Sequence, residues 1–200
     1  MRPAIFIDKD GTLIENVPYN VDPAKLRFMP GVFEGLAALL EAGYALVVVT
    51  NQSGIGRRMF TRTDFAKLQA TLERRLLDEA GIRLDGFLLC PHAPGPDDRF
   101  RCLCHKPAPG MLTRAAVEHG LDLGRSWIVG DTLDDVEAGH RAGCRGVLLV
   151  NGGETVWRRS PMRTPDAYCA DWAEVGQALL GDGKPLAPIS PSGAGQARFA

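Results

Sequence analysis

The sequence predicts the α/β class, a parallel sheet covered by helices on both faces. Two observations carry this. Short, wholly apolar runs alternate with helix-period segments, and strands buried on both faces read as continuous apolar runs. Three of those runs also end on or next to polar residues with chemistry to offer, Asp8, Thr50 and Asp131. In an open parallel sheet the carboxyl ends of the strands share one edge, where ligands bind.

The elements follow in order. Ala4–Ile7 is a short buried strand that ends at Asp8. Val32, Phe33, Leu36, Leu39 and Leu40 share one helical face, and Gly43 is placed to stop that helix. Residues 44–49 are β-branched and apolar and run into Thr50. Thr61 with Asp64 has the form of a capping box, opening a helix with the stripe Phe65, Leu68, Leu72 and Leu76. A strand is expected over 87–90, a helix over 111–117 and a strand over 127–129. A helix over 134–142 and a strand over 146–150 follow, and residues 167–180 add a last strand and helix. Crossovers between parallel strands should be right-handed.

Residues 1–180 are expected to form one domain. Residues 181–200, rich in Gly, Pro, Ser and Ala, are expected to be a disordered tail. The formal net charge is −1, from 23 basic and 24 acidic residues. That balance supplies no field for nucleic acid or a membrane surface, so a phosphorylated small molecule would have to be held by a few placed cations. The apolar N-terminal run is too short for a signal peptide, and Asp8 interrupts it. A cytoplasmic monomer is therefore expected.

Four segments carry chemistry. In Asp8-Lys9-Asp10-Gly11-Thr12, a strand-end carboxylate can be a nucleophile if a cation offsets its repulsion from phosphate. A second carboxylate two residues on can protonate a leaving alcohol and then activate water. Thr50-Asn51-Gln52-Ser53-Gly54 offers a hydroxyl and successive backbone N–H groups to phosphate oxygens. Lys106 can neutralise both the nucleophile and a phosphoryl group in transfer. Asp131 is placed for Mg²⁺, which takes a few carboxylates, waters and phosphate oxygens. Asp135 reads as the acidic member of a capping box with Thr132, and can also hold a metal water or Lys106.

A fifth feature is Cys90-Pro91-His92, followed after nine residues by Cys102-Leu103-Cys104. Three thiolates and one imidazole make a full tetrahedral set for Zn²⁺, and in a reducing compartment such clusters favour metal over disulfides. Four protein ligands close the site, which makes the zinc structural. Cys144 and Cys169 read as core residues, His119 and His140 as helix-surface residues.

Taken together, the four segments resemble the haloacid dehalogenase superfamily of phosphatases over roughly residues 4–150. With Cys-Pro-His and Cys-x-Cys-x-Lys-Pro added, the chain is similar to one branch of it. That branch holds the D-glycero-D-manno-heptose 1,7-bisphosphate 7-phosphatases and the related histidinol-phosphatases. The resemblance implies a Rossmann-like fold, an aspartyl-phosphate on Asp8 and acid/base work by Asp10. It implies phosphate contacts from Thr50 and Lys106, and Mg²⁺ held by Asp8, the Asp10 carbonyl and Asp131. About 30 residues separate the first two motifs, which leaves no room for a large cap domain. Asn51, Gln52, Ser53, Tyr19 and His105 are then the candidates for substrate binding. The heptose enzymes usually carry Arg where this chain has His105, and Lys where it has Thr132. Both departures touch recognition of the second phosphate. His105 is expected to restore part of it below its ordinary pKa of ~6.5, with Arg57 and Arg58 as other replacement charges. Histidinol phosphate as substrate, and a zinc-stapled phosphate-binding module without turnover, stay open as alternatives.

Overall fold

The computed structural model describes residues 1–181. Beyond Gly181, the tail expected over 181–200 lies outside the described residues. Six strands form one wholly parallel sheet in the order β3-β2-β1-β4-β5-β6. They are β1 Ala4–Ile7, β2 Ala45–Asn51, β3 Gly86–Cys90, β4 Trp127–Gly130, β5 Arg145–Leu149 and β6 Ala167–Cys169. The helices are α1 Val32–Glu41, α2 Ser53–Gly56, α3 Arg62–Ala80, α4 Gly110–His119, α5 Leu133–Ala142 and α6 Trp172–Leu180.

The apolar strand runs divide between two cores because successive side chains point to opposite faces. Ile5, Ile7, Leu46 and Val48 pack with Leu36, Leu68, Leu72 and Trp172 on one face. Ala4, Phe6, Val47 and Val49 pack with Met111, Leu112 and Ile128 on the other. On this second face α5 lies close on the sheet: a Cβ at Gly139 would stand 2.3 Å from Ile128 Cγ2. Both expected capping boxes are formed, Thr61 with Asp64 and Thr132 with Asp135.

Two boundaries differ from the sequence reading in ways that matter. β2 runs on through Thr50 and Asn51, which pair in register with Leu89 and Cys90. Parallel pairing uses backbone groups only, so polar side chains at the strand's end do not stop it. Thr50 is thus inside the strand rather than just after it. Second, α2 is a single turn, too short to leave a periodic signal.

The chain order places the site. β1 to β3 build the sheet in one direction, and β4 then starts on the other side of β1. This is the topological switch point, where a crevice opens between outgoing loops. Asp8 leaves β1 and Asp131 leaves β4 there. No cap domain intervenes among the described residues. The loop after β1 is instead rooted in the core through Leu13, Ile14 and Leu26 and tied by the bonds Met29 N–H to Leu13 O and Glu15 N–H to Arg27 O.

Candidate active site

Lys106 is the centre of the site. Its ammonium is 3% exposed and donates to Asp8 Oδ1 at 2.5 Å and to the Val49 carbonyl at 2.9 Å. It also ion-pairs with Asp135 Oδ1 at 2.6 Å. Burial opposes its charge, but Asp135 and Asp8 more than offset that and its pKa is raised. Asp135 Oδ2 meanwhile accepts from the Thr132 N–H and hydroxyl, so this residue caps α5 and holds Lys106 at once. Lys106 is delivered by a loop, and the Asn51 carboxamide grips that loop from both sides. It donates to the Lys106 carbonyl at 3.2 Å and accepts from the Lys106 N–H at 3.0 Å.

Asp8, Asp131 and Asp135 bring carboxylate oxygens within 4.8 Å of one another, all three residues being buried. Burial first, then Asp135 and Asp10, push Asp8 up to about 7 against the pull of Lys106. Burial first, then Asp8 and Asp135, push Asp131 up to about 8. Buried carboxylates this crowded are held ionised by a hard cation, and oxygen donors of this kind suit Mg²⁺. The residues therefore fit the ion.

Asp10 stands opposite, on the wall of the same cavity of about 250 Å³ that Asp8, Thr50, Lys106 and Asp131 line. Its Oδ1 accepts from Lys9 Nζ at 2.5 Å and its Oδ2 from Gln52 Nε2 at 2.9 Å. The same Gln52 amide donates to Thr50 Oγ1 at 2.8 Å. Gln52, read from sequence as a substrate contact, thus also braces two other candidate residues. Lys9 is 2% exposed; its structural part was not read from sequence, because a lysine beside a strand-end carboxylate has no periodic signal.

A second cavity of about 320 Å³ adjoins the first and shares Asp10, Asn16 and Asn51 with it. Tyr19, Gln52 and Ser53 line it. Tyr19 holds a φ of 55°, and a Cβ at Gly54 would stand 3.0 Å from its ring and 2.2 Å from that of Phe60.

His105 is placed differently from the expectation. It lines neither cavity and stacks on Phe100 with centroids 3.3 Å apart. Burial first, then Lys106 and His92, push its pKa down to about 4. It is neutral from pH 6 to 8, so the charge expected of it in that range is absent. Arg57 and Arg58 are exposed and line neither cavity.

The cysteines and histidine converge as their spacing suggested. Cys90 Sγ lies 3.1 Å from Cys104 Sγ and 3.6 Å from Cys102 Sγ, and His92 Nδ1 is 3.2 Å from Cys104 Sγ and 3.5 Å from Cys90 Sγ. None is a disulfide. Tetrahedral zinc with Zn–S bonds of ~2.3 Å needs ligand separations of roughly 3.5–3.8 Å, so the four atoms fit such an ion with small adjustment. Cys144 and Cys169 are buried core residues as expected. His140 is less idle than expected, bridging Asp166 Oδ2 at 2.8 Å and the Met162 carbonyl at 3.0 Å.

The chain is similar to known proteins. A family model described as HAD-hydrolase-like matches residues 103–175. A D-glycero-beta-D-manno-heptose-1,7-bisphosphate 7-phosphatase of Yersinia pestis is 39% identical over 85% of this chain and 88% of its own. The enzyme of the same name from Escherichia coli K12 is 38% identical over 92% of this chain and 96% of its own. The chain belongs to the haloacid dehalogenase-like phosphatase family. Within that family, the solved D,D-heptose 1.7-bisphosphate phosphatase from B. bronchiseptica, complexed with magnesium and phosphate, superposes with a TM-score of 0.73. It is 32% identical, over 89% of this chain and 98% of that one. No helix among the described residues is long and apolar enough to cross a membrane.

The crowded carboxylates set a pH dependence. A carboxyl whose pKa is raised on folding gives stability that is lost as pH climbs from its unfolded value, ~3.9, through its folded one. For Asp8 and Asp131 that window runs from about 4 to about 8. Mg²⁺ should therefore raise the melting temperature more at pH 8 than at pH 6, by up to ~2.7 kcal/mol of stability at a hundredfold excess over Kd. Thermal melts with and without Mg²⁺ at the two pH values check this; equal shifts would show that these carboxylates do not take up the ion.

Proposed function

We propose that the protein is a Mg²⁺-dependent phosphatase that removes the 7-phosphate of D-glycero-D-manno-heptose 1,7-bisphosphate through an aspartyl-phosphate on Asp8. The observation that carries this is the buried Lys106 ammonium 2.5 Å from Asp8 Oδ1. It supplies the cation that lets a carboxylate approach a phosphate dianion. The names of relatives at 38–39% identity support the substrate.

In the first step an Asp8 oxygen attacks phosphorus, the P–O bond to the sugar breaks, and protonated Asp10 gives its proton to the departing oxygen. In the second, water attacks the same phosphorus, Asp10 takes the proton, and orthophosphate leaves with Asp8 restored. Thr50 and Lys106 hold phosphoryl oxygens during both. Lys9 and Gln52 keep Asp10 at the cavity wall, and Asn51 keeps Lys106 in place. Mg²⁺, held by Asp8, Asp131 and the Asp10 carbonyl, supplies charge stabilisation for the phosphoryl oxygens when bound. Asp135 supports the set through Lys106. Zn²⁺ on Cys90, His92, Cys102 and Cys104 is structural, because four protein ligands leave no open position.

The same reading takes residues 1–180 as one phosphatase domain. It works as a cytoplasmic monomer on a small phosphorylated sugar, without nucleic-acid or membrane partners. A binding module without turnover would have no use for a nucleophile at Asp8 paired with an acid/base group at Asp10.

Three outcomes are expected. Asp8→Asn should keep the fold and lose more than about 95% of phosphate release, because the near-isosteric amide is a poor nucleophile; substantial turnover by a folded variant sinks the assignment. Elemental analysis of protein purified without chelator should find one zinc per chain, and Cys102→Ser should lose it together with stability; a zinc-free, stable wild type contradicts the structural role.

The third outcome concerns specificity. Among the described residues Asp10 is the one charged residue lining the second cavity, and a missing pair of charge-assisted contacts, ~1.5–3 kcal/mol each, is worth on the order of a hundredfold or more. The kcat/KM advantage of the bisphosphate over a matched monophosphate should be modest, under about tenfold. It should also be the same at pH 6 and pH 8, since His105 stays neutral across that range. A large advantage, or one that grows as pH falls, would point to a cation elsewhere on the rim.

A further inference from the structure

The Asp131 carboxylate is confined by its neighbours. Among the described residues no side-chain donor holds it, yet its position decides where a cation can sit. Its Oδ2 lies in a slot between two glycines. A Cβ built on Gly11 would stand 2.1 Å from that oxygen, and one built on Gly153 would stand 2.0 Å from it. Gly11 belongs to the loop leaving β1, where φ of +80° also favours glycine. Gly153 belongs to the loop leaving β5. The strands that carry these two loops are not neighbours in the sheet, because β4 lies between them.

One side chain does join them. Asn151, two residues past the end of β5, donates from Nδ2 to the Gly11 carbonyl at 2.6 Å. Its Oδ1 accepts from the Gly153 N–H at 3.1 Å. A carboxamide is required for this: one end must donate to a carbonyl and the other accept from an N–H. The next residue but two, Glu154, accepts from the Leu133 N–H at 2.8 Å and anchors the far side of the loop to the start of α5.

We propose that Asn151 is a positioning residue that clamps the Gly11 and Gly153 loops about the Asp131 carboxylate and thereby sets the affinity of the site for its divalent cation. This rests on the reading of Asp131 as a cation ligand, and the controls separate the two. Groups that orient a metal ligand without touching the ion change metal affinity by about 10–100-fold when removed. Asn151 is itself exposed, so its loss leaves both cores intact.

The test uses the full chain with its zinc retained, dialysed free of Mg²⁺ without chelator. Mg²⁺ affinity is read twice, from the Mg²⁺-dependent rise in melting temperature and from the Mg²⁺ concentration for half-maximal phosphate release. Asn151→Ala is expected to weaken both by about 10–100-fold, with kcat recovered when Mg²⁺ is raised and zinc content unchanged. Gly153→Ala, which fills the slot from the other direction, is expected to weaken Mg²⁺ in the same way and serves if Asn151→Ala does not fold. Asp131→Asn is expected to lose the Mg²⁺-dependent thermal shift. Unchanged Mg²⁺ affinity in Asn151→Ala, with the shift lost in Asp131→Asn, overturns the proposal, whatever Gly153→Ala does. A shift that survives Asp131→Asn overturns the reading of Asp131 itself.

Discussion

The ion pair of Lys106 with Asp8 and Asp135 is the constraint on which the rest of the site depends. Three buried carboxylates at the switch point of a parallel sheet would repel one another, and in a medium that screens poorly the cost is several kcal/mol per uncompensated charge. One buried ammonium offsets part of it. Asp8 and Asp131 still sit well above the ordinary carboxylate range, so the site keeps an unmet demand for positive charge. That demand suits the proposed joint binding of a cation and a phosphate.

Meeting the constraint takes structure well away from the sheet. Lys106 comes from an irregular segment that also carries Cys102 and Cys104, and Cys104 packs its sulfur against Cys90 and His92 at the end of β3. One residue, His105, separates that cluster from the lysine. The Asn51 clamp grips the lysine backbone from the end of β2. A loop with no regular structure is thus pinned twice, once by the thiol–imidazole cluster and once by a carboxamide, before it presents its charge. Loops can place functional groups only when a rigid scaffold holds them, and here the scaffold is the carboxyl edge of β2 and β3.

The opposite wall is built by a different device. Lys9 is buried beside Asp10, and Gln52 spans Asp10 and Thr50 with one amide. Residues at the ends of β1 and β2 are therefore tied together by side-chain bonds, which suits the proposed action of both on one phosphoryl centre. The neighbouring cavity is lined by carboxamides, a tyrosine and a serine, with Asp10 its one charge among the described residues. It offers a hydroxylated group many hydrogen bonds and offers a second anion little.

The parallel α/β architecture, the strand-end placement of Asp8 and Asp131, both capping boxes and the four thiol and imidazole groups were legible in the sequence. These are local matters: apolar runs mark strands buried on both faces, periodicity marks helix faces, and ligand types declare themselves by chemistry. Only the tertiary structure decided what joins one loop to another. That Gln52 turns to Asp10, that Asn51 grips Lys106 and that Asn151 reaches Gly11 depends on which strand ends are neighbours in space. The last of these had a trace in the sequence, a polar residue after an apolar strand run, but its partner lies 140 residues away. His105 shows the same limit from the other side. Its position beside Lys106 suggested a titrating charge, yet burial against Phe100 removes that charge, and burial is a property of the packed chain that no short stretch of sequence states.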